Sequence, residues 1–223
     1  MVSTTAIAVE NTHNFGGGTV QSIDEIALLR KESQALGITM HLDGARIWNA
    51  HIATGTSFAE FGQYFDTISV CFSKGLGAPV GSMMLSTRDR IQESIRWRKR
   101  YGAGMRQIGI LAAAADYALT HNIDRLAEDH ARAKTIAIAC ADVSPALIDP
   151  ALAHTNIVAI NLRGTGVTAQ ELVAQLKERG ILAGAMGSQL LRLVTHMDFD
   201  DVALEQVVKV LPELLKRALV VQQ

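Results

Sequence analysis

The chain reads as an α/β protein with a mostly parallel sheet, followed by a smaller α+β unit. Two observations carry this. Across the first hundred residues short apolar strands alternate with amphipathic helices, which argues parallel strands joined by crossover helices. Beyond that, a long alanine-rich stretch leads into helices, one strand and a strand pair. The expected boundaries are 1–104 for the large unit, 105–125 for a connecting helix and 126–223 for the small unit.

Ala6 to Val9 is a strand that runs into the polar loop Glu10-Asn-Thr-His-Asn14 and then Gly16–Gly18. A helix from Ser22 to Leu36 is announced by Ser22 and Glu25, a capping box, and stopped by Gly37. Ile38 to Leu42 is a strand ending at Asp43. A short helix near Phe58–Phe61 precedes a strand over Thr67–Phe72, which delivers Lys74 into a glycine-rich turn. Gly81 to Leu85 is a further strand, and Thr87 caps a helix to about Lys99. The spacing then predicts a helix over Arg106–Leu119, and Asn122 as the cap of a second one reaching Cys140. Val143–Ala153, with two prolines, reads as loop, and His154–Leu162 as strand. Thr168 and Glu171 form another capping box for a helix ending at Gly180. Ile181–Val194 is a strand pair turning near Gly184–Ser188. Asp200 or Asp201 caps the last helix, in which Pro212 should cause a kink or restart.

The 223 residues are 48% hydrophobic, enough to bury a sizeable core, and the net charge of −1 implies no general attraction to nucleic acid or anionic membrane. Cys71 and Cys140 both lie in apolar stretches and read as buried free thiols. No apolar run is long enough to span a bilayer, and the N-terminus lacks a secretory pattern. A cytoplasmic location is expected.

Lys74 and Asp43 carry the chemistry. Both follow apolar strands, and the carboxyl ends of such strands are where open α/β sheets hold ligands. A lysine shielded from water there favours the neutral amine that can attack an aldehyde. A carboxylate on a neighbouring strand end can keep a pyridine nitrogen protonated, so the pair meets what pyridoxal phosphate needs. Asp43 also reads as a helix cap. Arg46 is a surface residue or the holder of a substrate carboxylate through two parallel bonds. Arg192, inside an apolar strand, must be paired or reach a cleft. His41 and His13 are more readily structural than catalytic. The basic run Arg96–Arg100 reads as a solvated helix face, and Met83, Met84 and Met105 as core or interface packing.

Several segments together form a signature: Glu10-Asn-Thr-His-Asn14, His41-Leu-Asp-Gly-Ala-Arg-Ile-Trp-Asn-Ala50, Cys71-Phe-Ser-Lys-Gly-Leu-Gly-Ala-Pro-Val-Gly-Ser82, Arg98-Lys99, Gly102-Ala-Gly-Met-Arg-Gln107 and Arg192-Leu-Val-Thr-His196. In order and spacing the chain resembles the low-specificity L-threonine aldolases, lyases of the fold type I pyridoxal-phosphate enzymes. The resemblance implies that Lys74 carries the cofactor aldehyde covalently, that Asp43 pairs with the ring nitrogen and that Arg106 reaches the cofactor phosphate. It implies that Arg46 and Arg192 bind the substrate carboxylate, that Lys99 lies near the entrance, and that no metal takes part. The expected reaction is aldol cleavage of L-threonine or L-allo-threonine to glycine and acetaldehyde, in a homo-oligomer. Family members carry roughly a third more residues ahead of the Glu10 segment, including the phosphate loop and a ring-stacking histidine. The expectation is therefore an N-terminally truncated member with impaired activity. Two alternatives stand beside it: an inactive fragment that oligomerises with a full-length or complementary subunit, and another enzyme of the same fold, such as a transaminase, racemase or β-eliminating lyase.

Overall fold

A computed structural model describes residues 3–220. The described residues divide into two compact units: residues 3–12 with 20–125, and residues 13–19 with 126–220. The short excursion 13–19 thus belongs to the second unit, although its sequence neighbours on both sides belong to the first.

The first unit is built on a four-stranded sheet in the order β1-β2-β3-β4: β1 (Ala6–Glu10), β2 (Thr39–Gly44), β3 (Thr67–Cys71) and β4 (Ser82–Ser86). The first three strands are parallel and β4 is antiparallel to β3. Between β1 and β2 runs α1 (Ile23–Ala35), which starts at the Ser22–Glu25 capping box read from the sequence. Between β2 and β3 lie α2 (Ile47–Thr54) and α3 (Phe58–Gly62). After β4 come α4 (Arg88–Arg100) and α5 (Gly109–His121).

Register makes this sheet two-faced, because alternate residues point to opposite sides. Leu42 is opposite Ile68, which is opposite Leu85, and Val70 is opposite Met83; this face is apolar. Trp48, Phe58 and Phe61 from α2 and α3 lie against it around a groove of about 210 Å³. The other face carries Glu10, Asp43 and Ser69 in one row and His41 beside Thr67 in the next. His41 Nδ1 and Thr67 Oγ1 are 2.7 Å apart, which gives this histidine a structural partner.

The second unit has an antiparallel sheet ordered β5-β7-β6, with β5 (Ile157–Asn161), β6 (Gly184–Ala185) and β7 (Leu190–Val194). One face buries Val158, Ile160, Leu191 and Leu193 against three helices: α6 (Leu126–Ala141), α7 (Ala169–Glu178) and α8 (Asp201–Val220). The Thr168–Glu171 capping box opens α7, and Asp200 Oδ1 accepts from Ala203 N at 2.8 Å ahead of α8.

Four readings need correction. The helix expected from Arg106 begins at Gly109, because Gln107 adopts φ 53°. Asn122 does not open α6; it ends α5, and its side-chain amide donates to Leu76 O at 2.7 Å. Pro212 does not mark a restart, since α8 is one helix from Asp201 to Val220 with Val207, Leu211, Leu214, Leu215 and Ala218 buried along it. Of the core or interface packing expected of Met83, Met84 and Met105, the core alternative is not met: all three are exposed, since β4 lies at the sheet edge and Met105 lies in an exposed loop.

Candidate functional site

In parallel strands β1–β3 the carboxyl ends lie along one edge of the sheet, so Glu10–Thr12, Asp43–Gly44 and the segment after Cys71 are neighbours there. Asp43 sits level with Glu10 on one side and Ser69 on the other. It is half-buried; its Oδ1 accepts from Ala45 N at 3.1 Å, and its other oxygen accepts no hydrogen bond from the described residues. The Asp43 carboxylate thus turns the chain into Ala45–Arg46 without serving as the helix cap. That place falls to Arg46, half-buried at the start of α2 with no side-chain capping bond.

Lys74 lies two residues beyond Phe72, in a turn closed by Gly77 N to Lys74 O at 2.9 Å and by Ala78 N to Phe72 O at 3.0 Å. Phe72 N is bound in turn to Gly81 O at 2.9 Å. Two side chains fix the same turn from outside it: Trp48 Nε1 donates to Cys71 O at 2.9 Å and Asn122 Nδ2 to Leu76 O at 2.7 Å. Phe72, Gly75, Leu76 and Ala78 are buried, whereas Ser73 and Lys74 are exposed. The expectation that Lys74 is shielded from water is therefore not met in this chain. The strand ends at Cys71, and the turn buries its apolar residues while leaving residues 73 and 74 exposed. The backbone under the lysine is nonetheless tied down on both sides, and Trp48 and Asn122 are site-supporting residues that sequence reading missed. An asparagine ahead of a helical pattern reads as a cap, and nothing local indicates a bond to a residue 46 positions earlier.

Cys71 is half-buried on the polar face, with Sγ 3.4 Å from Ser73 Oγ, instead of buried. Cys140 is buried among apolar residues that push its thiol up to about 12, which leaves it inert. Lys99 lies in the last turn of α4, and its chain folds over the backbone at Gly104. Arg106 is exposed in the loop 101–108, all of whose residues are exposed. Arg96, Arg98 and Arg100 are exposed on α4, as the sequence suggests, with the Arg100 guanidinium 4.8 Å above the Trp97 ring.

In the second unit, Arg192 sits on β7 opposite Ala159 of β5, on the face turned away from the hydrophobic core. It is half-buried, and its Nη1 donates to Asn14 Oδ1 at 2.7 Å. His13 belongs to the same excursion and bridges to Thr19.

The Beta-eliminating lyase family model matches residues 1–163. A low-specificity L-threonine aldolase of Escherichia coli is 40% identical over 207 residues, which cover 93% of this chain and 58% of that protein. One from Arabidopsis thaliana is 37% identical over 195 residues, covering 87% and 54%. The chain thus spans about half the length of the curated relatives it matches. The solved structure of Leishmania major threonine aldolase superposes with a TM-score of 0.76 at 18% identity, covering 96% of this chain and 62% of that one, a likeness of fold. With close to three quarters of its length matched by the family model and a fold shared with threonine aldolase, the chain belongs to the beta-eliminating lyase family.

Proposed function

We propose that this chain carries the lysine and aspartate half of a pyridoxal-phosphate site and serves aldol cleavage of L-threonine or L-allo-threonine to glycine and acetaldehyde. The observation that carries this reading is the placement of Asp43 and Lys74 at the carboxyl ends of adjacent parallel strands. The donor set fits the cofactor. One Asp43 oxygen is tied to Ala45 N while the second remains to accept from a protonated ring nitrogen, a charge-assisted bond of the strong kind. Lys74, on a turn whose backbone is already hydrogen-bonded, offers an amine to an aldehyde without strain on the strand. The names of the relatives support the substrate.

In this reading Lys74 would hold the cofactor through its aldehyde. Asp43 keeps the ring nitrogen protonated. Arg46 and Arg192 bind the substrate carboxylate and so fix which bond at the α carbon is aligned for cleavage, a positioning effect of up to about 7–11 kcal/mol. The bound cofactor supplies an electron sink for the pair left on the α carbon as acetaldehyde departs. Arg106 serves the cofactor phosphate and Lys99 the entrance. Lys74, Lys99 and Arg106 are exposed in this chain, and in this reading the working form is a homo-oligomer.

The test is product analysis after incubating the chain with pyridoxal phosphate and L-threonine. Glycine and acetaldehyde in equal amounts, lost in Lys74→Ala, are expected; ammonia with 2-oxobutanoate contradicts the assignment and marks elimination instead. The exposure of Lys74 also favours a second reading, an inactive chain that completes the site of a complementary subunit. Cofactor binding with no product from threonine, and product on mixing with such a subunit, selects it.

A further inference from the structure

We propose that Asn14 is a positioning residue that aims Arg192 at a carboxylate, and that the strap of residues 13–19 exists to bring it there. This rests on the reading of Arg192 as the carboxylate-binding residue. The strap lies on the sheet face opposite the core of its unit. Gly18 O accepts from Thr155 Oγ1 at 2.7 Å. A Cβ on Gly17 would stand 3.1 Å from Ala159 Cβ, and one on Gly18 would stand 2.7 Å from Thr155 Oγ1 and 3.0 Å from Ile157 Cβ. Both glycines adopt positive φ, 77° and 79°, a conformation that side chains resist. Only glycine therefore lets the strap lie this low. Ala159, the residue under Gly17, is the cross-strand partner of Arg192. A turn with Gly17 N bound to Asn14 O at 3.2 Å then sets Asn14 beside the guanidinium.

The chemistry of the acceptor matters. Arg192 is half-buried, and no ion pair among the described residues involves it. Its partner is a neutral amide oxygen, which orients one nitrogen of the guanidinium and leaves its charge and its remaining donors for an anion. An aspartate at position 14 would hold the arginine as firmly but neutralise it. The strap thus preorganises a cation at the cost of one neutral hydrogen bond, and a ligand carboxylate meets a side chain already ordered.

The test watches the Arg192 Nε–H signal by NMR in the labelled chain during titration with acetate, and with acetamide as the uncharged control. In the parent chain acetate shifts the signal and acetamide does not. Asn14→Ala is expected to weaken the acetate response about two- to tenfold, the ordering cost of one long side chain. Asn14→Asp is expected to weaken it further while the Gly17 and Gly18 backbone signals stay in place. Should Asn14→Ala release the strap, the Asp variant, with its strap docked, decides. Acetate affinity unchanged in the docked Asn14→Asp variant overturns the inference while leaving Arg192 as a carboxylate site. An Arg192 signal indifferent to acetate in the parent chain overturns the reading on which the inference rests.

Discussion

His130 is a residue whose environment sets a measurable pH response. It follows Asp129 on α6, and burial there drives its imidazole down to about 4, against the opposing pull of the Asp129 carboxylate. A base whose folded value lies below its unfolded one binds protons preferentially in the unfolded chain. Stability is then full above about 6.5 and falls as the pH drops toward 4. Between pH 7 and pH 5 the second unit should lose about 2 kcal/mol, read as a lower urea midpoint. His130→Gln should flatten that difference, and an unchanged pH dependence in the variant would assign the loss elsewhere. Nothing in the sequence announces this histidine, because burial of one helical position depends on what packs over it. Asp43 and Lys74, by contrast, are legible as strand-end residues, since the apolar runs before them fix where each strand stops.

At the scale of elements, the helix starts are the most readable features. Ser22 with Glu25 and Thr168 with Glu171 close their boxes as the local pattern dictates, because both partners lie within one turn. Long-range ties are not readable in this way. The amide of Asn122 at the end of α5 satisfies the carbonyl of fully buried Leu76, beneath the Lys74 turn. Asn122→Ala leaves that carbonyl without its partner and should cost about 1–3 kcal/mol of stability. It should also loosen the turn, so that pyridoxal phosphate binds more weakly at temperatures where the variant is still folded. A variant as stable and as avid as the parent would remove Asn122 from the support of the site. Pro212 teaches a related lesson. A missing amide hydrogen inside α8 is tolerated because five buried side chains hold the helix in the core of its unit across that point.

For the whole molecule, alternation of strands and helices is enough to expect a mostly parallel sheet, and register adds what alternation leaves out. The antiparallel turn of β4 follows from the short connection 72–81, too brief for a crossover. The two faces differ in kind: one apolar, carrying Leu42, Ile68, Val70 and Leu85, and one polar, bearing Asp43 in line with Ser69. The seven-residue excursion of 13–19 into the second unit is hidden in the sequence, where Gly16–Gly18 reads as an ordinary loop. Among the described residues no helix is long and apolar enough to cross a membrane.

The proposed function depends first on Lys74 receiving the aldehyde of pyridoxal phosphate. Borohydride reduction of the chain with the cofactor, followed by peptide mass mapping, tests it directly. One stable adduct on the peptide bearing Lys74 is expected, with the accompanying visible absorbance band gone in Lys74→Ala. An adduct spread over surface lysines, or a band that survives in that variant, would contradict it.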